Sequence, residues 1–354
     1  MQVMVIGAGI GGLTTALALD AAGIGVTVYE RNPVVEELGV GINLLPHAVA
    51  PLAGFGLLER LHATAVETRE LIYTHRLGQE IMRRPCGLGA GAPLPQFSIH
   101  RGRLAGVLHE AVRERLGADA VVTGHRITGF TQDADGVTAT FVDPAGRPAG
   151  TRTADVLVAA DGIWSAVRGQ LYPDEGPPLW NGVLMWRGAT LWPAFLDGRT
   201  MIIAGGTAAK LVVYPSAAGE HPEQRLTNWA VSIVSGREGD PTPRRVDWSA
   251  EGRPAEMAPH LARFHTEHLD LPALAAATSE LLEYPMVDRD PLPRWSHERV
   301  TLLGDAAHPM YPMGSNGAAQ AILDAVALAE CLRSEIDPVA ALRAYDEQRR
   351  PAAN

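Results

Sequence analysis

The apolar positions of this chain change rhythm several times, and each change marks an element. Val3 to Ile6 is a short β-branched and apolar run, the pattern of a buried strand. A glycine-rich turn follows, then Leu13 to Ala22, an Ala/Leu-rich helical stretch closed by Gly23. Val26 to Tyr29 predicts a second strand ending at Glu30, so the chain opens with a β-α-β unit. From about Gly54 the pattern is less regular; Leu71 to His75 reads as a strand and residues 82–97 as an irregular excursion. Arg103 to Leu116 carries Leu104, Val107, Leu108, Ala111 and Val112 on one stripe and predicts a helix. Alternation over Ile127–Phe130 and Val137–Val142, split by Asp135 and Gly136, predicts a hairpin, and Asp155 to Ala160 a buried strand.

The middle of the chain differs. Residues 179–285 hold five of the seven tryptophans, with strand-like runs at Val183–Trp186, Met201–Ile203, Leu211–Tyr214 and Trp229–Val234 and helical pieces around 255–282. The α/β rhythm returns with a strand at Val300 to Leu303 and a helix at Gly317 to Leu332. The predicted fold class is therefore α/β, a Rossmann-like domain interrupted by an antiparallel sheet. Its expected boundaries are 1–70, 98–178 and 286–354 for the first domain and 71–97 and 179–285 for the second.

Composition narrows the function. Of 354 residues, 46% are hydrophobic and 20% charged, enough apolar material for a sizeable core. The formal charge is −10, and no basic stripe offsets it, so a nucleic-acid partner is not expected. Cys86 and Cys331 cannot build a disulfide framework or a CxxC metal site, so no metal is expected. No apolar run reaches the roughly 18 residues a membrane span needs, and the N-terminus lacks a basic leader. The expectation is a cytoplasmic protein without a membrane partner, monomer or homodimer.

Three segments carry chemistry. In Gly7-Ala8-Gly9-Ile10-Gly11-Gly12, Gly7 permits a tight turn, Gly9 lets a pyrophosphate approach the backbone, and Gly12 lets the helix pack on the strand. Glu30, followed by Arg31, ends the second strand, where a carboxylate accepts from an adenosine ribose. This order identifies a dinucleotide site but does not separate FAD from NAD. In the second segment, a strand delivers Asp161-Gly162 to a turn followed by Ser165 and Arg168, a pattern a simple helix N-cap also explains. In the third, a strand ends at Gly304-Asp305, where a carboxylate can accept from a ribityl or ribose hydroxyl. A loop with His308, Pro309, Tyr311, Pro312, Met313, Gly314 and Asn316 then leads to a helix at Gly317. His308 reads as a structural loop residue rather than a catalyst.

Together the three segments resemble the class A flavoprotein aromatic hydroxylases, the family of the para-hydroxybenzoate hydroxylase fold, over residues 7–324. The resemblance implies a Rossmann-like FAD-binding domain interrupted by an antiparallel-sheet substrate domain. It implies that Gly7, Gly9, Gly12, Glu30 and Arg31 bind the ADP half of FAD, that Asp161 and Gly162 serve FAD and the nicotinamide co-substrate, and that Gly304 and Asp305 hold the riboflavin part. Arg101 falls at the family's flavin-contacting arginine, Gly41 and Ile42 where backbone passes the isoalloxazine, and Gly314, Asn316 and Gly317 at the loop before the last helix. The implied reaction uses NADH or NADPH and O2 to hydroxylate a small aromatic through a C4a-hydroperoxyflavin. Gly39 to Asn43, Ser98 to Gly102, Met185 to Gly188, Tyr284 to Pro293 and Met310 to Gly317 are similar to the phenazine hydroxylases, which implies a phenazine carboxylate substrate and loss of its carboxyl group. Many relatives continue through a further C-terminal helical segment.

Candidate substrate contacts are Trp186 as a flat wall, Arg187 as a carboxylate partner, Tyr214, Pro309, Tyr311 and Met313. For Trp186 and Tyr214 core packing, and for Arg187 an ordinary salt bridge, stand as the competing readings. Asn43 stands where some hydroxylases of pyridine or benzoate acids carry His, which argues against deprotonation of a phenol from that position. The alternatives are a hydroxylase of a salicylate- or nicotinate-like acid or another polycyclic, a plain NAD-dependent dehydrogenase, and a flavin-binding protein without turnover.

Overall fold

The structure is a computed structural model and describes residues 1–35, 39–242, 250–312 and 314–353. Its first sheet has six strands in the order Ser296–His297, Val300–Leu302, Val156–Ala159, Gln2–Ile6, Gly25–Tyr29, Val121–Val122, parallel except for the two-residue edge strand. Val5 sits level with Val158 on one side and Val28 on the other, both faces are covered, and the central strands are accordingly mostly apolar. The helix Ile10–Ala21 packs between Arg101–Leu116 and Gly317–Ser334. A Cβ on Gly11 would lie 2.9 Å from Leu303 and 3.3 Å from Ala321, so the two helices meet through small residues.

The second sheet has seven strands, ordered Leu282–Asp288, Leu179–Pro193, Gln224–Val234, Ala209–Ala218, Thr200–Gly205, Glu70–Thr74, Glu80–Pro85. Its strands are longer than the sequence runs suggested. One face packs on the helices Pro254–Leu261 and Leu271–Ala276 in a cluster with Leu184, Trp186, Val213, Trp229 and Val231. A three-stranded sheet of Gly41–Leu44, Phe97–His100 and Val66–Glu67 lies at the junction of the two.

Several expectations need correction. Residues 82–97 are not wholly irregular, because Glu80–Pro85 pairs with Glu70–Thr74 as an exposed edge strand. The hairpin at 126–142 gains a third strand, Pro148–Ala154, whose mostly exposed positions give no apolar alternation to read. The fourth helix starts at Arg101, not Arg103, directly after the strand that ends at His100. Helices at Pro46–Gly54, Leu58–Thr64 and Pro338–Ala353 were not anticipated.

Candidate functional site

Parallel sheets bind ligands beyond the carboxyl ends of their strands. Here Ile6 leads to Gly7, Tyr29 to Glu30, Ala159 to Asp161 and Leu302 to Gly304, so the sheet alone brings three motifs separated by up to about 300 residues to one edge. At that edge Gly7 has φ +102°, and a Cβ on Gly12 would lie 1.9 Å from the Gly7 carbonyl oxygen. No side chain fits at Gly12. Gly9 is different: a Cβ there meets no atom within 4 Å, leaving open space above the first helical turn. Glu30 accepts from the Ala8 amide at 2.8 Å and the Asn32 amide at 2.9 Å, which fixes the carboxylate while each oxygen retains accepting capacity. Arg31 is exposed beside it.

The second motif is both a helix cap and a tether. Ser165 Oγ accepts from the Arg168 amide at 2.9 Å, and Asp161 Oδ2 accepts from the Ala166 amide at 2.9 Å. Asp161 Oδ1 is buried without a partner among the described residues, and burial pushes this carboxyl up from its usual range. Gly162 has φ +80° and open space at its Cβ position. Arg168, 1% exposed, donates to the carbonyls of Ala306 (3.0 Å) and Ala307 (2.9 Å) and pairs with Glu175. It ties the second motif to the third.

In the third motif Gly304 has φ +59°, and burial raises the Asp305 carboxyl against the opposing pull of Arg101 and His308. His308 is buried and tied into the fold: its Nε2 lies 2.6 Å from Asp324, which also accepts from Arg349 Nε at 2.8 Å and from the Gly304 amide at 3.2 Å. Asp324 is fully buried, so the helix Gly317–Ser334 anchors the loop from below. The following turn has Gly314 at φ +78° and Ser315 at φ +61°, and the Asn316 carbonyl accepts from Gln320 as the helix begins at Gly317. Met313 lies outside the described residues.

Side chains along a strand alternate between faces, and this decides the substrate candidates. Arg187 is level with Ala230, Tyr214 with Asn228, and Met185 with Tyr284, which puts all six on the face turned away from the packing helices. Tyr284, Met185 and Met286 form a separate cluster there, against which Tyr311 packs. The Arg187 guanidinium lies 5.8 Å from the centre of the Tyr284 ring. Burial, reinforced by the like charge of Arg101, draws its pKa down to about 10. Burial raises the phenols of Tyr214 and Tyr284, so both remain neutral donors at ordinary pH. Tyr311 bonds Asp288, and Pro309 is buried in the loop.

Trp186 must be corrected. It is 2% exposed on the opposite face, donates to Glu283 at 2.9 Å and stacks on His260 at 5.4 Å. It is core and does not face the site. Tyr284 and Asn228 were missed. Asn228, between Thr227 and Trp229, carries no local signal in the sequence, but once buried its amide needs a partner. It has one: Asn228 Oδ1 accepts from the Gly41 amide at 2.8 Å. Asn43 accepts from Ser98 at 2.6 Å, and Ser98 lies 2.5 Å from Thr68.

The open space at Gly9 and Gly162, the fixed Glu30 carboxylate and the buried oxygen of Asp161 fit a dinucleotide, and Asp305, in the field of the Arg101 charge, suits its polar flavin half. A sequence profile of the family described as FAD binding domain matches residues 1–354. The chain belongs to this FAD-binding family. The phenazine 1,6-dicarboxylic acid hydroxylase PhzS of Lysobacter antibioticus is 47% identical over 355 residues, covering 99% of this chain and 86% of that enzyme. Klebsiella pneumoniae HpxO complexed with FAD and uric acid has the same fold, with a TM-score of 0.81, 26% identity, and coverage of 100% of this chain and 85% of that one. A salicylate hydroxylase substrate complex gives a TM-score of 0.79 at 26% identity, with the same coverage. This member of the FAD-binding family is a flavoprotein monooxygenase of aromatic compounds, with FAD as cofactor and NAD(P)H and O2 as co-substrates. Among the described residues no helix is long and apolar enough to cross a membrane, and no group of three or more His, Cys, Asp or Glu could hold a metal.

Proposed function

We propose that this protein oxidises a phenazine carboxylic acid whose carboxylate is held by Arg187. The observation that carries the proposal is a half-buried, desolvated guanidinium on the sheet face turned away from the packing helices and in the field of Arg101, in a chain 47% identical to a phenazine dicarboxylic acid hydroxylase. When bound and reduced, FAD supplies activation of O2 and delivery of one oxygen atom to an electron-rich ring. Everything else falls to the chain. Gly7, Gly9, Gly12 and Glu30 would hold the ADP half; Asp161, Gly162, Gly304 and Asp305 the remainder, with Arg101 and the loop at Gly314, Asn316 and Gly317 alongside.

Arg187 orients the ring, and its charge is effective because the surroundings are desolvated. Tyr214 and Tyr284 contribute flat apolar surface and a neutral hydroxyl donor each. Met185, Met286 and Ala230 exclude water from the reacting face. No titratable group occupies position 43, where Asn43 is engaged with Ser98, so the strand offers no base for a phenol. That supports a substrate already electron-rich without deprotonation from this position. Delivery of oxygen to the carbon bearing the carboxylate expels CO2; delivery to a neighbouring carbon retains it.

The test is NADH and NADPH consumption by the FAD-loaded protein against phenazine carboxylates, salicylate and pyridine acids, with product masses. Turnover confined to salicylate or pyridine acids would replace the phenazine assignment with one of those classes. The nicotinamide co-substrate supports a cytoplasmic site of action, and sedimentation separates monomer from homodimer.

A further inference from the structure

We propose that Asn228 and Gly41 form a latch that fixes the spacing between the strand Gly41–Leu44 and the sheet face bearing Arg187 and Tyr214. This latch positions the substrate so that reductant consumption stays coupled to oxygen transfer. The inference rests on the hydroxylase reading above. Asn228 is 3% exposed and accepts from the Gly41 amide at 2.8 Å, joining two sheets 187 residues apart in sequence. A buried amide is costly unless bonded, so a polar residue here needs the partner it has.

Gly41 is required by space and not by backbone conformation, because its φ is not in the left-handed region. A Cβ there would lie 2.7 Å from Tyr214 Cε2 and 2.8 Å from Asn228 Cβ, closer than side chains pack. The backbone at position 41 thus lies directly against the sheet. Register places the contact next to the proposed anchor: Tyr214 is level with Asn228, and Arg187 is level with Ala230, one alternation along the same strand. On its other side the segment meets the cofactor half, since the Arg101 amide donates to the Val40 carbonyl at 2.9 Å and Arg101 side-chain atoms would lie 3.2 Å from a Cβ on Gly39. The hydroxyl chain from Asn43 through Ser98 to Thr68 braces the strand.

Coupling is sensitive to such spacing. In the productive reaction, ArH, NADH, H+ and O2 give ArOH, NAD+ and water. When the ring is misplaced, NADH, H+ and O2 give NAD+ and hydrogen peroxide, and a displacement of about 1 Å can slow a transfer on the order of 100-fold. Asn228→Ala removes the acceptor, and Gly41→Ala forces the layers apart. In FAD-free Asn228→Ala, amide exchange at Gly41 should accelerate relative to the wild type. In both variants, loaded with FAD, product per NADH should fall several-fold while peroxide rises to match. Unchanged exchange at Gly41, or wild-type coupling in either flavin-loaded variant, overturns the latch. If Asn228→Ala does not fold, Asn228→Ser is read in the same assays. A wild type that oxygenates no aromatic would sink the hydroxylase reading instead, and the exchange measurement would still decide whether the latch exists.

Discussion

Replacing Arg187 by Met should make the FAD-free protein more stable and a worse enzyme. The guanidinium is half-buried and desolvated, and its pKa falls to about 10, mainly through that desolvation and secondarily through Arg101. At about 1.4 kcal/mol per tenfold change, that fall corresponds to roughly 3 kcal/mol of burial cost. Water in the cofactor-free site and local relaxation reduce it to about 1–2 kcal/mol. The sign follows from the direction: the unfolded chain holds this proton more tightly, so at neutral pH the cost is fully present and is relieved only above about pH 10. Methionine fills similar volume without the charge, and the midpoint of thermal unfolding should rise by about 1–4 °C. Binding moves the other way. Removing one partner of a buried charge pair costs about 2–5 kcal/mol, so the KM for a carboxylated phenazine should rise on the order of 30-fold or more. The matching ester or amide should respond little. Thermal unfolding of the FAD-free protein and steady-state kinetics on the acid and its ester give both numbers. A lower unfolding midpoint with equal KM changes for acid and ester would refute the anchor.

Other outcomes follow from the geometry. Gly9→Ala has room for its methyl group, so FAD-free stability should hold within about 1 kcal/mol while FAD dissociation accelerates; Gly12→Ala, 1.9 Å from a carbonyl, should fail to fold or lose FAD outright. Asp324→Ala leaves Arg349 and His308 without their shared acceptor and should cost about 3–5 kcal/mol, measured by urea unfolding. The Asp305 carboxyl is raised by burial, so its contribution to FAD-free stability is present at acid pH and lost as pH rises through the raised value. Asp305→Asn should therefore flatten that part of the pH–stability curve and weaken flavin retention; a variant that keeps its flavin normally would remove Asp305 from the site.

The motifs proposed to hold the cofactor were legible because their signals are local. A strand end, a glycine turn and an acid at fixed spacing specify their own geometry, and the parallel sheet then gathers all such ends at one edge. The substrate half was less legible because the sequence carries the alternation of a strand but not its phase. Trp186 and Arg187 are neighbours, and both faces of the seven-stranded sheet are covered, one by the helices Pro254–Leu261 and Leu271–Ala276 and one by the cofactor domain. Apolarity therefore could not say which residue packs on the helices and which on the other face, and register decided it. Glu80–Pro85 was lost for the opposite reason: every one of its positions is exposed, so no alternation marks it. Asn228 becomes visible only when the fold sets it against Gly41, since nothing in its local sequence is unusual.

Transfer of oxygen from O2 to a phenazine carboxylate is the reaction proposed for this chain. The most direct measurement is the mass of the product formed by the FAD-loaded protein with NADH, a phenazine carboxylic acid and isotopically heavy O2. One heavy oxygen atom is expected in the product, with the carboxyl group either retained or replaced by hydroxyl. Reductant consumed with all of the heavy oxygen recovered as peroxide, and none in any phenazine, would contradict it.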